Sequence, residues 1–275
     1  MYIALDIGGT NVRIAATENL TSPSFAAVKK IPTTNNYSED LENIVNGISE
    51  LVNGKDVEGI GCGFPGTFSD DKKTILVAAN VTDWNNKQFV VDLEKAFVCP
   101  VRIENDDSIS AFGEAIYGYG KERDFVYITW GTGFGGADVK QKDGKVTVRQ
   151  FEAGHQIIGW ENGRLCGCGQ TGCAEAYIGG GNLEKYYKKK VNELDAKEWE
   201  GVLDHFAHAL VNVVAFYPTK LIIIGGGVAI NNKEKAQEIE NKIKERIRIY
   251  PAPKVCITEL GDDLGLMGAF ALLKE

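Results

Sequence analysis

Short apolar runs alternate with glycine-rich turns along most of the chain. The run at 2–7 ends at Gly8-Gly9, and a second apolar run follows at 12–16, which predicts a strand, a tight turn and a strand. The same order, with a threonine again in the glycine turn, returns at 125–149. We interpret this recurrence as a weak internal duplication that gives two similar halves with a cleft between them.

Apolar residues at three- and four-residue spacing predict helices between the strands. The predicted helices cover 39–53, 108–117, 183–216, 233–249 and 264–273. Ser108 is the predicted cap of the second of them. Further strands are predicted at 59–64, 98–104, 125–130 and 221–224. Strands that alternate with helices indicate an α/β protein, and the paired strands within each glycine motif require mixed sheets.

Composition narrows the possible functions of this 275-residue chain, whose length suits one large domain or two modest ones. The net charge of −8 argues against a nucleic-acid partner, because neutralising phosphates requires clustered Lys and Arg. The longest apolar run, 221–230, is about half the ~20 residues that span a bilayer. We therefore expect no membrane partner and a cytoplasmic location, where clustered cysteines favour metal binding or catalysis over disulfides.

The two glycine turns are candidate phosphate sites, because glycine lets backbone N–H groups approach an anion closely. The first comprises Gly8, Gly9 and Thr10, and the preceding Asp6 could hold a hydrated Mg²⁺. The second comprises Gly131, Thr132 and Gly133. Each could equally be a plain hairpin, but two similar turns favour one shared nucleotide. The triplet 225–227 allows either a ligand or close helix–strand packing.

Three thiols within eight residues, Cys166, Cys168 and Cys173, form the most specific local signal. Zn²⁺ binds four nitrogen or sulfur ligands in a tetrahedron, and His155 is the available fourth ligand. Four protein ligands would close the coordination shell, so the zinc would be structural. The alternative is a set of free thiols in a glycine-rich loop, and the clustering favours zinc.

Three acidic positions are candidates for chemistry or for substrate contact. Asn105-Asp106 ends a predicted strand, where Asp106 could act as a base on a substrate hydroxyl. Helix capping is the simpler interpretation of these residues taken alone. Glu152 and Glu175 flank the cysteines and could bind a polyol if zinc fixes the loop, or could be ordinary solvent-exposed carboxylates.

Together these motifs resemble the ROK family of bacterial sugar kinases, in the actin/hexokinase/Hsp70 superfamily. The matching segments are DIGGTNVR (6–13), GFPG (63–66), AANVTDW (78–84), ENDDSISAFGEA (104–115), WGTGFGG (130–136), EAGH (152–155), CGCGQTGCAE (166–175) and LIIIGGG (221–227). The sequence departs from the common family pattern at Thr82-Asp83, Asp107-Ser108 and Ala137.

The resemblance implies a two-lobed, actin-like (ribonuclease H-like) α/β fold with mixed sheets and a cleft between the lobes. We expect a small lobe of residues 1–109 with the C-terminal helix 262–275, and a large lobe of 110–261 that holds the zinc loop. The resemblance also implies a homodimer.

The resemblance implies the following site residues. Asp106 would be the general base. The sugar would be contacted by Asn80, Asn105, Asp106, Glu152, His155 and Glu175. ATP would be bound by Gly8, Gly9, Thr10, Gly131, Thr132, Gly133 and Gly226, and Asp6 would orient Mg²⁺. Zinc would be held by His155, Cys166, Cys168 and Cys173.

The implied activity is ATP-dependent phosphorylation of a hexose, at O6 of glucose in the first instance. N-acetylmannosamine or N-acetylglucosamine ranks second, because the set Glu152, His155 and Glu175 is similar in both branches, and fructose ranks third. Polyphosphate as the donor would call for a basic groove, so the acidic balance favours ATP. A zinc-stabilised sugar-binding regulator is the non-enzymatic alternative, although it would not need Asp106 or two phosphate turns. A DNA-binding role disagrees with a first strand that begins at Tyr2.

Overall fold

The computed structural model describes residues 1–25, 27–78 and 81–274. In chain order its strands and helices are β1 (Tyr2–Ile7), β2 (Asn11–Thr17), β3 (Lys29–Pro32), α1 (Tyr37–Val52), β4 (Gly59–Phe64), β5 (Gly66–Phe68), β6 (Ile75–Ala78), α2 (Phe89–Phe97), β7 (Val101–Asn105), α3 (Asp106–Tyr117), β8 (Phe125–Trp130), β9 (Phe134–Lys142), β10 (Lys145–Phe151), α4 (Glu175–Ile178), α5 (Gly180–Tyr187), α6 (Ala196–Phe216), β11 (Leu221–Gly225), α7 (Gly227–Ile230), α8 (Lys235–Arg246), β12 (Lys254–Ile257) and α9 (Leu264–Leu272). Short 3₁₀ turns cover Thr82–Trp84, Ala153–His155, Val191–Glu193 and Gly261–Asp263.

The chain forms two compact units. The first comprises Met1–Tyr117 and Asp263–Glu275, and the second comprises Gly118–Asp262. Both are mixed α/β structures, as the alternation of strands and helices predicts. Among the described residues no helix has the length and apolar character needed to cross a membrane.

The first unit is built on a five-stranded sheet in the order β3-β2-β1-β4-β7. Strand β1 is antiparallel to β2 and parallel to β4, and β4 is parallel to β7. Helix α9 packs directly on the backbone of β4: a Cβ atom on Gly61 would lie 1.9 Å from the carbonyl oxygen of Ala269. Glycine is therefore required at this position, since no side chain fits between strand and helix.

The second unit repeats this arrangement with a five-stranded sheet in the order β10-β9-β8-β11-β12. Strands β8 and β9 are antiparallel, while β8, β11 and β12 run parallel. The long helix α6 contributes much of the apolar core, and the ring centroids of Trp130 and Phe206 lie 4.4 Å apart. The duplication indicated by the two glycine motifs is thus a duplication of sheet topology.

Several predicted element boundaries are wrong for local reasons. The continuous helix predicted at 183–216 is broken, because Lys188 ends α5 in the left-handed region and Asp195 caps a new helix by accepting a hydrogen bond from the Glu198 amide. The strand predicted from Val98 begins at Val101, since Val98 ends α2 with φ = 52°. Ser108 is not a cap, because α3 begins at Asp106 and buries Ser108.

Candidate active site

The first glycine turn joins β1 to β2 and is held by β3. The Gly8 amide donates to the Asn11 carbonyl at 2.8 Å. Thr33, just beyond β3, donates from its hydroxyl to the Gly8 carbonyl at 3.0 Å and from its amide to the Thr10 carbonyl at 2.9 Å. Thr10 itself is exposed. The hairpin interpretation is thus correct for the backbone, and the Thr10 side chain is accessible on the outside of the turn.

Two carboxylates lie at the same edge of this sheet as the glycine turn. Strands β1, β4 and β7 are parallel, so Asp6 near the end of β1 and Asp106 directly after β7 share the carboxyl-end edge. Burial raises the pKa of Asp6. The positive charge of Arg13 opposes that rise, and the negative charges of Asp106 and Asp263 add to it.

Arg13 connects two acidic groups within the first unit. Its guanidinium lies 2.5 Å from Asp263, next to the start of α9, and 3.7 Å from Asp6 on the neighbouring strand. A Cβ atom on Gly265 would lie 2.7 Å from the Asp6 carboxyl carbon, so the first turn of α9 passes close to this carboxylate. A carboxylate at a strand end beside a phosphate turn is the type of ligand that Mg²⁺ uses, so Asp6 fits the predicted role.

Asn105 caps the helix that carries Asp106. Its side-chain oxygen accepts a hydrogen bond from the Asp107 amide at 2.9 Å, and its side-chain nitrogen donates to the carbonyl of Gly66, the last residue of the GFPG segment, at 3.5 Å. The capping alternative is therefore confirmed for Asn105, and it fixes Asp106 as the first residue of α3. The predicted sugar contact Asn80 lies outside the described residues.

Asp83, one of the departures from the family pattern, has a structural role in the first unit. Its carboxylate accepts a hydrogen bond from the Tyr37 amide at 2.9 Å, and its own amide donates to the Asn35 side chain at 3.2 Å. Because Tyr37 is the first residue of α1, Asp83 stabilises the start of that helix.

The second glycine turn joins β8 to β9 and is supported by two further glycine segments of the second unit. The Gly180 and Gly181 amides donate to the carbonyls of Gly131 and Thr132 at 2.8 and 2.9 Å. Gly226 adopts φ = 92°, and a Cβ atom there would lie 2.6 Å from the Trp130 carbonyl oxygen. The triplet at 225–227 thus provides close packing against the turn.

A cavity of about 720 Å³ lies beside this second turn, which is a suitable size for a nucleotide. Three of its lining residues belong to motifs found in the sequence, namely Gly131, Thr132 and Gly227. The structure adds further residues to the wall, namely Gly180, Gly181, Glu184, Lys190, Val191, Asn192, Val228, Asn231 and Asn232. The glycine run at 179–181 resembles the triplet at 225–227 and could have been found in the same way, whereas the polar residues carry no sequence signal.

The structure brings together the four predicted zinc ligands. The ligand atoms of His155, Cys166, Cys168 and Cys173 all lie within 4.8 Å of one another. The Cys168 and Cys173 sulfurs are 3.8 Å apart, and the Cys166 sulfur is 3.9 Å from His155 Nδ1. Zn–S bonds of ~2.3 Å in a tetrahedron place sulfurs ~3.7 Å apart, so the four residues fit a zinc ion.

The pKa values of the thiols differ with their surroundings. Burial raises the pKa of Cys173 to about 12 and also raises that of Cys166. A hydrogen bond from the Gln170 amide lowers the pKa of the exposed Cys168. A bound cation would favour the thiolate at all three positions.

Glu175 joins the cysteine cluster to the second glycine turn. One carboxylate oxygen accepts a hydrogen bond from the Phe134 amide at 3.0 Å, and the other lies 3.9 Å from the Cys166 sulfur. A Cβ atom on Gly133 would lie 2.8 Å from the first oxygen. Glu152 is largely exposed and lies 4.0 Å from His155 Nε2, the ring nitrogen that does not face Cys166.

The cysteines outside the cluster and His205 pack within their units, whereas His208 is exposed. Cys62 and Cys99 are buried in the core of the first unit, and Cys256 is half-buried in the second. His205 stacks on Tyr177 with ring centroids 4.6 Å apart and hydrogen-bonds through Nδ1 to the Gly201 carbonyl.

The chain is similar to characterised sugar kinases over its full length. The sequence model of the ROK family matches residues 2–275. The N-acetyl-D-glucosamine kinase of Vibrio parahaemolyticus is 32% identical, with 98% of each chain covered. The glucokinase of Thermotoga maritima is 26% identical, with 99% of this chain and 97% of that protein covered.

A solved structure agrees with these sequence relationships. The ROK glucokinase of Streptomyces griseus, in complex with glucose and AMPPNP, is 25% identical, covers 98% of each chain and superposes with a TM-score of 0.75. The mixed sheets are thus those of the actin-like fold of ROK sugar kinases, as the motifs predict. This chain belongs to the ROK family.

Proposed function

We propose that this chain is an ATP-dependent hexose kinase that phosphorylates O6 of glucose with Asp106 as the general base. Sugar kinase activity follows from membership of the family and from the glucokinase and N-acetylglucosamine kinase relatives. The finer assignment of sugar, base and metals is our inference from the residues.

One observation carries the proposal. A single edge of the first sheet holds a glycine turn, Asp6 and Asp106, because the parallel strands β1, β4 and β7 all end there. Phosphoryl transfer needs positioning and charge stabilisation rather than covalent participation by the protein. A base, a metal-type carboxylate and a phosphate turn on one edge supply these requirements.

Asp106 would accept the proton of the attacking sugar hydroxyl. Asn105 fixes the start of α3 through its hydrogen bond to the Asp107 amide, so the Asp106 backbone is held in place before the sugar binds. A general base that is already positioned avoids the entropic cost of orienting it during the reaction.

The phosphates of ATP would be bound by Gly8, Gly9 and Thr10 of the first unit, and by Gly131, Thr132, Gly133 and Gly226 of the second. The cavity beside the second turn would take the rest of the nucleotide. Asp6 would hold Mg²⁺, which supplies positive charge to the phosphate oxygens. Arg13, held by Asp263, limits the freedom of Asp6 to turn away from that position.

We further propose that the Cys₃His cluster holds a structural zinc ion. His155 Nδ1 would be the ligand nitrogen, because it faces Cys166, and the Nε2–H on the other side of the ring would donate to a sugar hydroxyl beside Glu152. Glu175 contacts both the cluster and the glycine turn, so the cluster would set its position. Glu152, His155 and Glu175 would then be ready to hydrogen-bond sugar hydroxyls, together with Asn80 and Asn105.

N-acetylglucosamine or N-acetylmannosamine is the second candidate substrate. The observation in its favour is the 32% identity to the Vibrio parahaemolyticus N-acetyl-D-glucosamine kinase. Homodimer formation also remains a proposal that follows from the family resemblance, and light scattering after gel filtration tests it.

A coupled ADP-release assay with MgATP tests the proposed function. Glucose, N-acetylmannosamine, N-acetylglucosamine, mannose and fructose should be compared at equal concentrations. We expect the highest kcat/KM for glucose. A clear preference for an acetamido sugar would replace the substrate but keep the kinase. If folded, zinc-loaded protein releases no ADP with any of these sugars, the proposed activity is wrong.

A further inference from the structure

A second cavity of the unit Gly118–Asp262 lies at the opposite edge of its sheet from the glycine turn. It measures about 630 Å³ and opens where β8, β11 and β12 begin and near the end of β9. Because the length of β8 separates the two edges, the cavity is roughly 17–20 Å from the glycine turn. It is therefore distinct from the cavity proposed to hold the nucleotide.

Positive charge is concentrated around this cavity. Four cationic side chains line it, Arg123, Lys140, Lys220 and Lys254, against the single carboxylate of Asp124. Lys140 pairs with Asp138 at 3.0 Å, a residue of its own strand. Within the described part of the chain, the other three cations have no ion-pair partner. In a chain with net charge −8, this cluster is a local attraction for an anion.

The backbone that carries these cations is fixed by hydrogen bonds. The Gln141 side chain donates to the carbonyls of Gly120 and Arg123, each at 2.6 Å, and accepts from the Glu122 amide at 3.2 Å. The Lys254 amide donates to the Lys220 carbonyl at 3.0 Å. The backbone from which the three unpaired side chains extend is thus fixed before a ligand binds, which lowers the entropic cost of binding.

Apolar surface lies next to the cations. Tyr250, 38% exposed, and the rings of Pro218 and Pro251 form part of the wall. The flat Tyr250 ring can pack against a planar group of a ligand, and the proline rings add apolar surface beside it. The volume lies within the range of small-molecule sites and is far larger than inorganic phosphate requires.

We propose that this cavity binds a phosphorylated small molecule with a flat apolar group. Arg123, Lys220 and Lys254 hold the phosphate, and Tyr250 with the two prolines holds the apolar part. Single ion pairs at exposed positions contribute little, but three cations that line one cavity beside an apolar wall act together on a dianion. The site is independent of the proposed kinase chemistry.

Isothermal titration with phenyl phosphate, in the absence of ATP, sugar and Mg²⁺, tests this inference. We expect saturable binding with Kd below roughly 1 mM. The variant Lys220→Gln/Lys254→Gln should bind about tenfold more weakly. The matched control Lys197→Gln/Lys244→Gln removes two exposed charges elsewhere on the same unit and should bind like the unaltered protein. Higher salt should weaken binding, because it screens these charges.

Three results would overturn the proposal. They are no saturable heat with phenyl phosphate, equal affinity in Lys220→Gln/Lys254→Gln and unaltered protein, and an equal loss in the control variant. Phenol and inorganic phosphate separate the two halves of the site. Each should bind more weakly than phenyl phosphate. If inorganic phosphate binds as tightly as phenyl phosphate, the apolar wall does not contribute to binding.

Discussion

The two units share a sheet topology but differ in what their strand ends carry. In both, a hairpin with a glycine turn lies beside two parallel strands, in the orders β3-β2-β1-β4-β7 and β10-β9-β8-β11-β12. Two residues before the glycine turn, the first unit has Asp6 and the second has Thr129. Opposite these positions on the next strand are Arg13 and Gly135. At these two positions, only the first unit has charged side chains.

The connections between elements differ even more than the strand ends. From β3 to α1 the first unit needs only residues 33–36, whereas from β10 to α6 the second uses residues 152–195. That long connection contains the Cys₃His cluster and Glu175. The repeated sheet thus supplies two similar glycine turns. The proposed general base follows a strand end of the first unit, and the Cys₃His cluster lies in a long insertion of the second.

The largest effect is expected for Asp106→Asn, which tests whether the first unit supplies the general base. We expect turnover to fall at least ~10²-fold, because the amide cannot accept the proton of the sugar hydroxyl. Binding of sugar and ATP should change little. Steady-state kinetics together with titration calorimetry measures both quantities.

Asp107→Asn is the matched control, since it removes the same charge one residue further along α3. Its turnover should stay within a few-fold of the unaltered protein. If both variants were equally active, Asp106 would not be the base, and the carboxylates of the first unit would have no assigned role in proton transfer.

Cys168→Ser tests whether the insertion of the second unit depends on a metal. We expect bound zinc to fall from about one per chain to near zero, because three ligands remain. The KM for the sugar should rise, since Glu175 and His155 lose their support, while turnover at saturating sugar should fall less than in Asp106→Asn. Elemental analysis and kinetics measure these effects.

Cys256→Ser is the control, because this cysteine lies in β12 outside the cluster and should retain full zinc. Chelator treatment of the unaltered protein provides a second measurement if Cys168→Ser folds poorly. Normal sugar affinity in zinc-free protein would show that the cluster does not position the sugar contacts.

Gly226→Ala tests the support of the second glycine turn. A methyl group at φ = 92° would lie 2.6 Å from the Trp130 carbonyl oxygen, so the backbone must shift. We expect the free energy of unfolding to fall by about 1–3 kcal/mol and the KM for ATP to rise. Denaturant titration and kinetics would measure the two effects.

Gly201→Ala is the control for removal of a glycine in the same unit. It lies within α6, where an added Cβ meets no atom within 4 Å. Alanine should raise the free energy of unfolding by about 0.5–1 kcal/mol and leave the KM for ATP unchanged. A loss of stability equal to that of Gly226→Ala would mean that the close contact at the turn does not matter.

The sequence predicted what depends on local pattern. The apolar runs at 2–7, 59–64 and 125–130 are strands with those same bounds, and the four zinc-ligand candidates lie together. Periodicity could not find the break between α5 and α6, because apolar spacing continues through Lys188, where the left-handed conformation ends the first helix. Nor could it foresee the contact of Glu175 with the Phe134 amide, which joins residues far apart in the chain.

Val98→Gly tests a smaller difference between the units, at the helix before the last strand of each sheet. In the first unit, α2 ends at Val98 with φ = 52°, and in the second, α8 ends at Ile247 in extended conformation. A β-branched residue in the left-handed region is strained, and Val98 is 90% exposed, so its side chain adds little packing. Glycine should raise the free energy of unfolding by about 0.5–1 kcal/mol and the Tm by about 1–3 °C. Calorimetry would detect this shift.

The comparison variant Val77→Gly, on an exposed strand position without positive φ, should lower the Tm. A lower Tm for Val98→Gly as well would mean that the end of α2 is not strained.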